Sequence, residues 1–153
     1  MSLWLHWCNA IWLLRPASSR TRTFMWFVTA VAGLTVRTEM LGVTSVVRAL
    51  KLNARFYDRL LDHFHSDAIQ PDPLAALWAR VVLRLFPHPL RVNGRLVLLG
   101  DGIKAAKRGK KMPAVKLLHQ QAQCNKPEYI MGHSLQAVSI LMHAAKSVFA
   151  VPL

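Results

Sequence analysis

A proline on each side of His88 punctuates this 153-residue chain. Proline cannot continue a helix or donate to a sheet ladder, and it disfavours helix at the residue before it. No regular element should therefore run through 87–89. Ahead of that point apolar residues recur at helical spacing. Beyond it, short apolar runs rich in Val, Ile and Leu are separated by glycine and polar breaks. The pattern predicts an α+β protein, with a helical region over 1–89 and strands over 90–153.

Within the helical part, Trp4, Trp7, Ile11 and Leu14 lie on one face of a first helix over 1–14. Arg15 and Pro16, followed by small polar residues, break it. Thr23 is placed to cap a second helix running from Phe24 toward Glu39. Thr44 reads as the N-cap of a short helix over 45–52, and Asn53 as the cap of another over 54–65. Phe56, Leu60, Leu61 and Phe64 share a face of that last helix. A helix, a glycine-containing turn, a short helix bearing Arg48 and Lys51 and a further helix together outline a helix-turn-helix. On that reading Thr44, Ser45 and Arg48 meet phosphate or base edges, while Val46, Val47 and Leu50 pack inward. A plain helical core segment is the alternative.

His63, His65 and Asp67 at the helix end read as solvated side chains rather than metal ligands. Asp72 and Pro73 suit the N-cap and first position of a final helix over 74–86, with Leu77, Val81 and Leu85 inward.

The stretch after the prolines runs from Arg91 to Ile103 as a first strand. Its apolar residues Leu96 to Leu99 lead into Gly100-Asp101-Gly102, and the pattern predicts a strand buried on both faces. The two glycines allow a bend or a close approach beside Asp101. Lys104, Lys107, Arg108, Lys110 and Lys111 follow at once. A carboxylate at the exit of a strand, with cations just downstream, suits a metal ion that holds a phosphate oxygen. A turn aspartate and a solvated basic loop fit the same residues. Further strands are expected around 113–119, 128–142 and 146–153.

The whole-chain charge narrows the partner. Twenty Lys and Arg against seven Asp and Glu give a formal net charge of +13, which favours a polyanion, either nucleic acid or an anionic membrane surface. With 53% hydrophobic residues the chain can bury a core and is not disordered. Its apolar runs 4–14 and 24–34 fall short of the ~20 residues that span a bilayer, so no stable membrane insertion is expected. The Trp-rich first helix leaves a membrane-peripheral role open. Cys8 and Cys124 stand far apart, without disulfide or metal spacing, as in a reducing compartment.

Two segments carry a family resemblance. Residues 100–141, GDGIKAAKRGKKMPAVKLLHQQAQCNKPEYIMGHSLQAVSIL, resemble the start of the catalytic domain of insertion-sequence transposases of the DDE superfamily. Residues 22–66, RTFMWFVTAVAGLTVRTEMLGVTSVVRALKLNARFYDRLLDHFHS, resemble the helical region before it. The resemblance implies a helical DNA-binding region 1–89 and, over 90–153, the first strands of a truncated ribonuclease-H-like α/β domain. It also implies a bacterial, nucleoid-associated cytoplasmic protein acting on the double-stranded ends of an insertion sequence. In that family three acidic residues hold two divalent metals, usually Mg²⁺, for strand cleavage and transfer. The first falls here on Asp101 as catalytic residue and metal ligand, with Arg48, Lys51 and the five downstream cations on DNA.

The departure from the pattern is as informative as the match. After Asp101 the only carboxylate is Glu128, well ahead of where the second and third acids belong. The expectation is an N-terminal transposase fragment that binds DNA without strand transfer. Such a fragment would leave 148–153 as an uncovered apolar strand open to self-association. A small helix-turn-helix regulator and a remnant without function are the alternatives.

Overall fold

A computed structural model of the chain describes residues 2–39, 42–106, 114–119, 128–144 and 147–153. Among the described residues five α-helices precede six strands, an α+β order with a helical N-terminal part. The helices are Leu3–Trp12 (α1), Thr21–Val36 (α2), Gly42–Ala49 (α3), Phe56–His65 (α4) and Pro71–Leu85 (α5). The strands are Arg91–Val92 (β1), Arg95–Leu96 (β2), Leu98–Ala106 (β3), Lys116–His119 (β4), Tyr129–Ala144 (β5) and Ser147–Pro152 (β6). The chain divides into two units, 1–81 and 82–153, and the division falls inside α5.

In the first unit α2 serves two apolar clusters. Phe24 joins Ile11, Leu14 and Val81, with Trp7, Phe27, Val28 and Leu77 packed around them. Ala30 joins Val46 of α3 and Leu60 of α4, with Trp26, Val47 and Leu50 at the margin. Burying each large apolar side chain contributes about 1.5–3 kcal/mol, enough to settle which helix faces turn inward. Some expected core residues lie outside. Trp4 is 65% exposed, and Phe64 and Leu85 are each 49% exposed. Their helices run past the surfaces that cover them, so the apolar stripe outlasts its partner.

A 3-10 turn at Arg15–Ala17 links α1 to α2. Arg15 pins it, donating from Nη1 to the Ser18 carbonyl (2.8 Å) and from Nη2 to Thr21 Oγ1 (3.0 Å). The following residues pair with the approach to α5. Ser18 bridges Ile69, and the Ser19 amide donates to the Ala68 carbonyl at 3.3 Å.

In the second unit β1 and β2 form a tight hairpin across Asn93 and Gly94, both at positive φ (51° and 76°). Positive φ at both central residues is the type I′ geometry that Asn-Gly favours. The larger sheet is built on β5. β3 pairs antiparallel with one edge of β5, and β4 and β6 lie along the other. Residues directly opposite share a face, so Leu118, Ile140, Met142 and Val151 form a common buried face.

Three strand expectations need correction. The stretch 91–103 is not one strand, because the chain turns at Asn93-Gly94 to form the β1–β2 hairpin before β3 begins. β3 is not buried on both faces: it is exposed along its length apart from half-buried Ala105. It is an edge strand whose one partner among the described strands is β5. Nor is 148–153 an uncovered strand. β6 is hydrogen-bonded to β5, and Val151 is buried. Its outer edge has no described partner.

Candidate functional site

The helix-turn-helix reading concerns α2, α3 and α4, which pack on one another around Ala30, Val46 and Leu60. Val46 is buried and Val47 and Leu50 are half-buried, so the inward face of α3 falls where the spacing places it. Thr44 and Arg48 face solvent, as does Lys51 just beyond α3 at φ 51°. Ser45 does not: it is 2% exposed, its Oγ donates to the Gly42 carbonyl (2.7 Å) and accepts from Arg37 Nη1 (3.2 Å). A buried hydroxyl must be bonded internally, and this one closes the first turn of α3 instead of reaching a ligand. Ser45 is therefore removed from the contacting set. Arg48 forms an exposed ion pair with Glu39 at 3.4 Å, an interaction of about 0–1 kcal/mol that a phosphate can displace.

A pocket of about 250 Å³, open to solvent, lies where the start of α2 meets α4. Arg20, Arg22 and Trp26 line it from one side, Arg59, Asp62 and His63 from the other. Burial lowers the pKa of His63 below its ordinary value, so the ring is neutral at pH 7. The sequence gives Arg59 no role and leaves His63 to solvent, although the α4 wall alone carries a spacing signal. Arg59, Asp62, His63 and Ser66 stand at i, i+3, i+4 and i+7, one face of a helix.

Asp101 is not at the exit of a strand as expected: it sits within β3, opposite Ala137 of β5, with the pairing continuing to Ala106, and it is exposed. Leu99, Ile103, Leu135 and Ser139 share its face by register. Gly100 and Gly102 are extended and have no atoms near where a Cβ would stand. They mark neither a bend nor a close approach. Glu128 precedes the first residue of β5 and pairs with His119 at 3.4 Å. At about 3.3 Å per residue, the strand between Tyr129 and Ala137 covers roughly 25 Å. The two carboxylates thus cannot share an ion. No group of three or more His, Cys, Asp or Glu able to hold a metal occurs among the described residues. The residues around Asp101 do not fit the two-metal centre that the resemblance implies.

Of the downstream cations, Lys104 donates from Nζ to the His119 carbonyl and so ties β3 to β4 across β5. Lys107, Arg108, Lys110 and Lys111 lie outside the described residues, as does Cys124.

Together these features define a strongly basic α+β protein with a three-helix cluster, an arginine-lined pocket and an edge strand bearing one acid. No helix among the described residues is long and apolar enough to cross a membrane. Comparison with protein families, curated proteins and solved structures finds no match to this chain.

Proposed function

We propose that this chain is a DNA-binding part of a DDE-type transposase, carrying the first acidic position of a ribonuclease-H-like sheet in Asp101. The observation that carries the reading is the setting of that residue. It lies mid-strand in β3, the first long strand of an antiparallel sheet that continues through β5 to β6. The net charge of +13 supports a polyanionic partner. Strand transfer needs several carboxylates around two metals, and Asp101 belongs to no such group among the described residues. The activity assigned to this chain is accordingly binding of double-stranded DNA, without cleavage by the chain alone.

The packing of α2, α3 and α4 favours a second reading, a helix-turn-helix regulator that uses Arg48 and Lys51. Duplex binding followed by fluorescence anisotropy across a salt series tests the shared part. Affinity falling linearly on a log–log plot is expected, and no binding at low salt overturns both readings. Incubation of insertion-sequence ends with Mg²⁺ or Mn²⁺ tests the rest. Metal-dependent nicking that disappears in Asp101→Asn would show a working nuclease and reject the inactive assignment.

A further inference from the structure

We propose that Arg20, Arg22 and Arg59 form a binding pocket for a phosphate group. The source we assign, a backbone phosphodiester of duplex DNA, rests on the DNA-binding reading above. The pocket itself does not.

Three arginines line one opening, Arg22 from α2, Arg59 from α4 and Arg20 from the segment before α2. None of the three makes an ion pair or a side-chain hydrogen bond among the described residues. Arginines on a protein surface commonly find a carboxylate, and Asp62 stands in the same pocket, yet it lies beyond ion-pair distance of all three. Its charge offsets one guanidinium, and three arginines against one carboxylate leave the site net positive. Guanidinium groups present planar forks that match the oxygens of phosphate, and several together suit a tetrahedral anion better than one carboxylate.

Size and surroundings narrow the ligand. A volume of about 250 Å³ lies below the usual range for drug-sized ligands, so the pocket fits a group on a larger molecule better than a whole cofactor. It opens to solvent, as a polymer passing across it requires. Trp26, held against Phe56 with ring centroids 5.8 Å apart, supplies a wall of fixed orientation. Arg22 and Trp26 stand one turn apart on α2. The pairing of Ser18 and Ser19 with Ala68 and Ile69 fixes the backbone that presents Arg20.

The test compares the full chain with two triple variants of equal charge loss. The pocket variant is Arg20→Gln, Arg22→Gln, Arg59→Gln. The control is Arg80→Gln, Arg84→Gln, Arg95→Gln, three exposed arginines elsewhere. Both should keep the wild-type melting temperature within a few degrees, because exposed substitutions usually cost under about 0.5 kcal/mol. Each protein is titrated with inorganic phosphate by NMR and with duplex DNA by anisotropy from about 50 to 200 mM salt. The expected result is loss of the phosphate response in the pocket variant alone, with DNA affinity down at least about tenfold and the log–log salt slope reduced by about 1, as for one phosphate contact. If wild type ignores duplex DNA while the pocket variant alone loses phosphate, the ligand is a free phosphorylated molecule and the DNA reading fails. Equal behaviour of the two variants in both titrations overturns the pocket, and leaves the DNA reading intact if wild type binds duplex.

Discussion

Val46 of α3 stands against the backbone of α2 at Gly33, where a Cβ would overlap its Cγ1. Gly33 is buried in the last turn of α2 without a positive φ, so its role is space rather than conformational freedom. An exposed helical Gly→Ala change stabilises by roughly 0.5–1 kcal/mol. Here overlap with Val46 should reverse the sign. Gly33→Ala is expected to destabilise the first unit by about 1–3 kcal/mol, and the double change with Val46→Ala to recover part of the loss. Urea unfolding of the three variants measures it, and a stabilised single variant would mean that α3 packs elsewhere.

Gly132 repeats the relationship inside the sheet. It pairs with Ala106 on one side and Lys116 on the other, and a Cβ there would collide with the Ala105 carbonyl oxygen. That obstacle is backbone, so it cannot rotate away. Gly132→Ala is expected to loosen β3 and β4 from β5 and to speed amide exchange at Lys104 to Ala106 and Lys116 to His119. Unchanged protection at those amides would contradict this strand register.

Burial holds the pKa of His63 below its ordinary 6.5. The unfolded chain then takes up the proton first as pH falls. The stabilising contribution is fully present above pH 6.5 and diminishes as pH falls through 6.5 toward the lower folded-state value. Thermal unfolding across about pH 5–8 should show this decline in wild type, and a smaller one in His63→Gln. A slope of opposite sign would indicate that the folded protein favours the imidazolium.

Arg48 and Lys51 distinguish the two readings of the helical part. If they touch phosphates, Arg48→Ala with Lys51→Ala lowers affinity for all duplexes by a similar factor and reduces the salt slope by about 2. If they read bases, affinity falls chiefly for a preferred sequence. Competition binding against a panel of duplexes separates these outcomes. Glu39→Gln frees Arg48 from its ion pair and should strengthen the phosphate case.

Helix positions are largely legible in the sequence because apolar periodicity survives burial, but cap residues mislead by two or three positions. Thr23 and Thr44 lie inside α2 and α3 rather than before them, and α5 begins at Pro71, ahead of Asp72. Asn53 does serve at its turn, its Oδ1 accepting from the Arg55 amide at 3.1 Å. The apolar content of 91–103 reads as one strand although Asn93-Gly94 carries a hairpin signal; β1 and β2 turn there before β3 begins. An unbroken apolar run such as Leu96 to Leu99 also cannot say whether anything covers it. Nor can spacing reveal the arginine pocket, since Arg20 and Arg59 come together only through the packing of α2 on α4.

Among the described residues every other strand of the larger sheet hydrogen-bonds to β5, and none of those strands pairs with another. On a ribosome β3 and β4 must therefore emerge and wait, with Leu98, Leu99, Ile103 and Leu117 open to any passing strand, until the residues of β5 have been synthesised. In the first unit Ile11, Leu14 and Phe24 wait in the same way for Val81 of α5, whereas α2, α3 and α4 close around Ala30, Val46 and Leu60 earlier. Nascent-chain folding of this protein should thus be stepwise, with a vulnerable interval in which chaperone capture competes with aggregation.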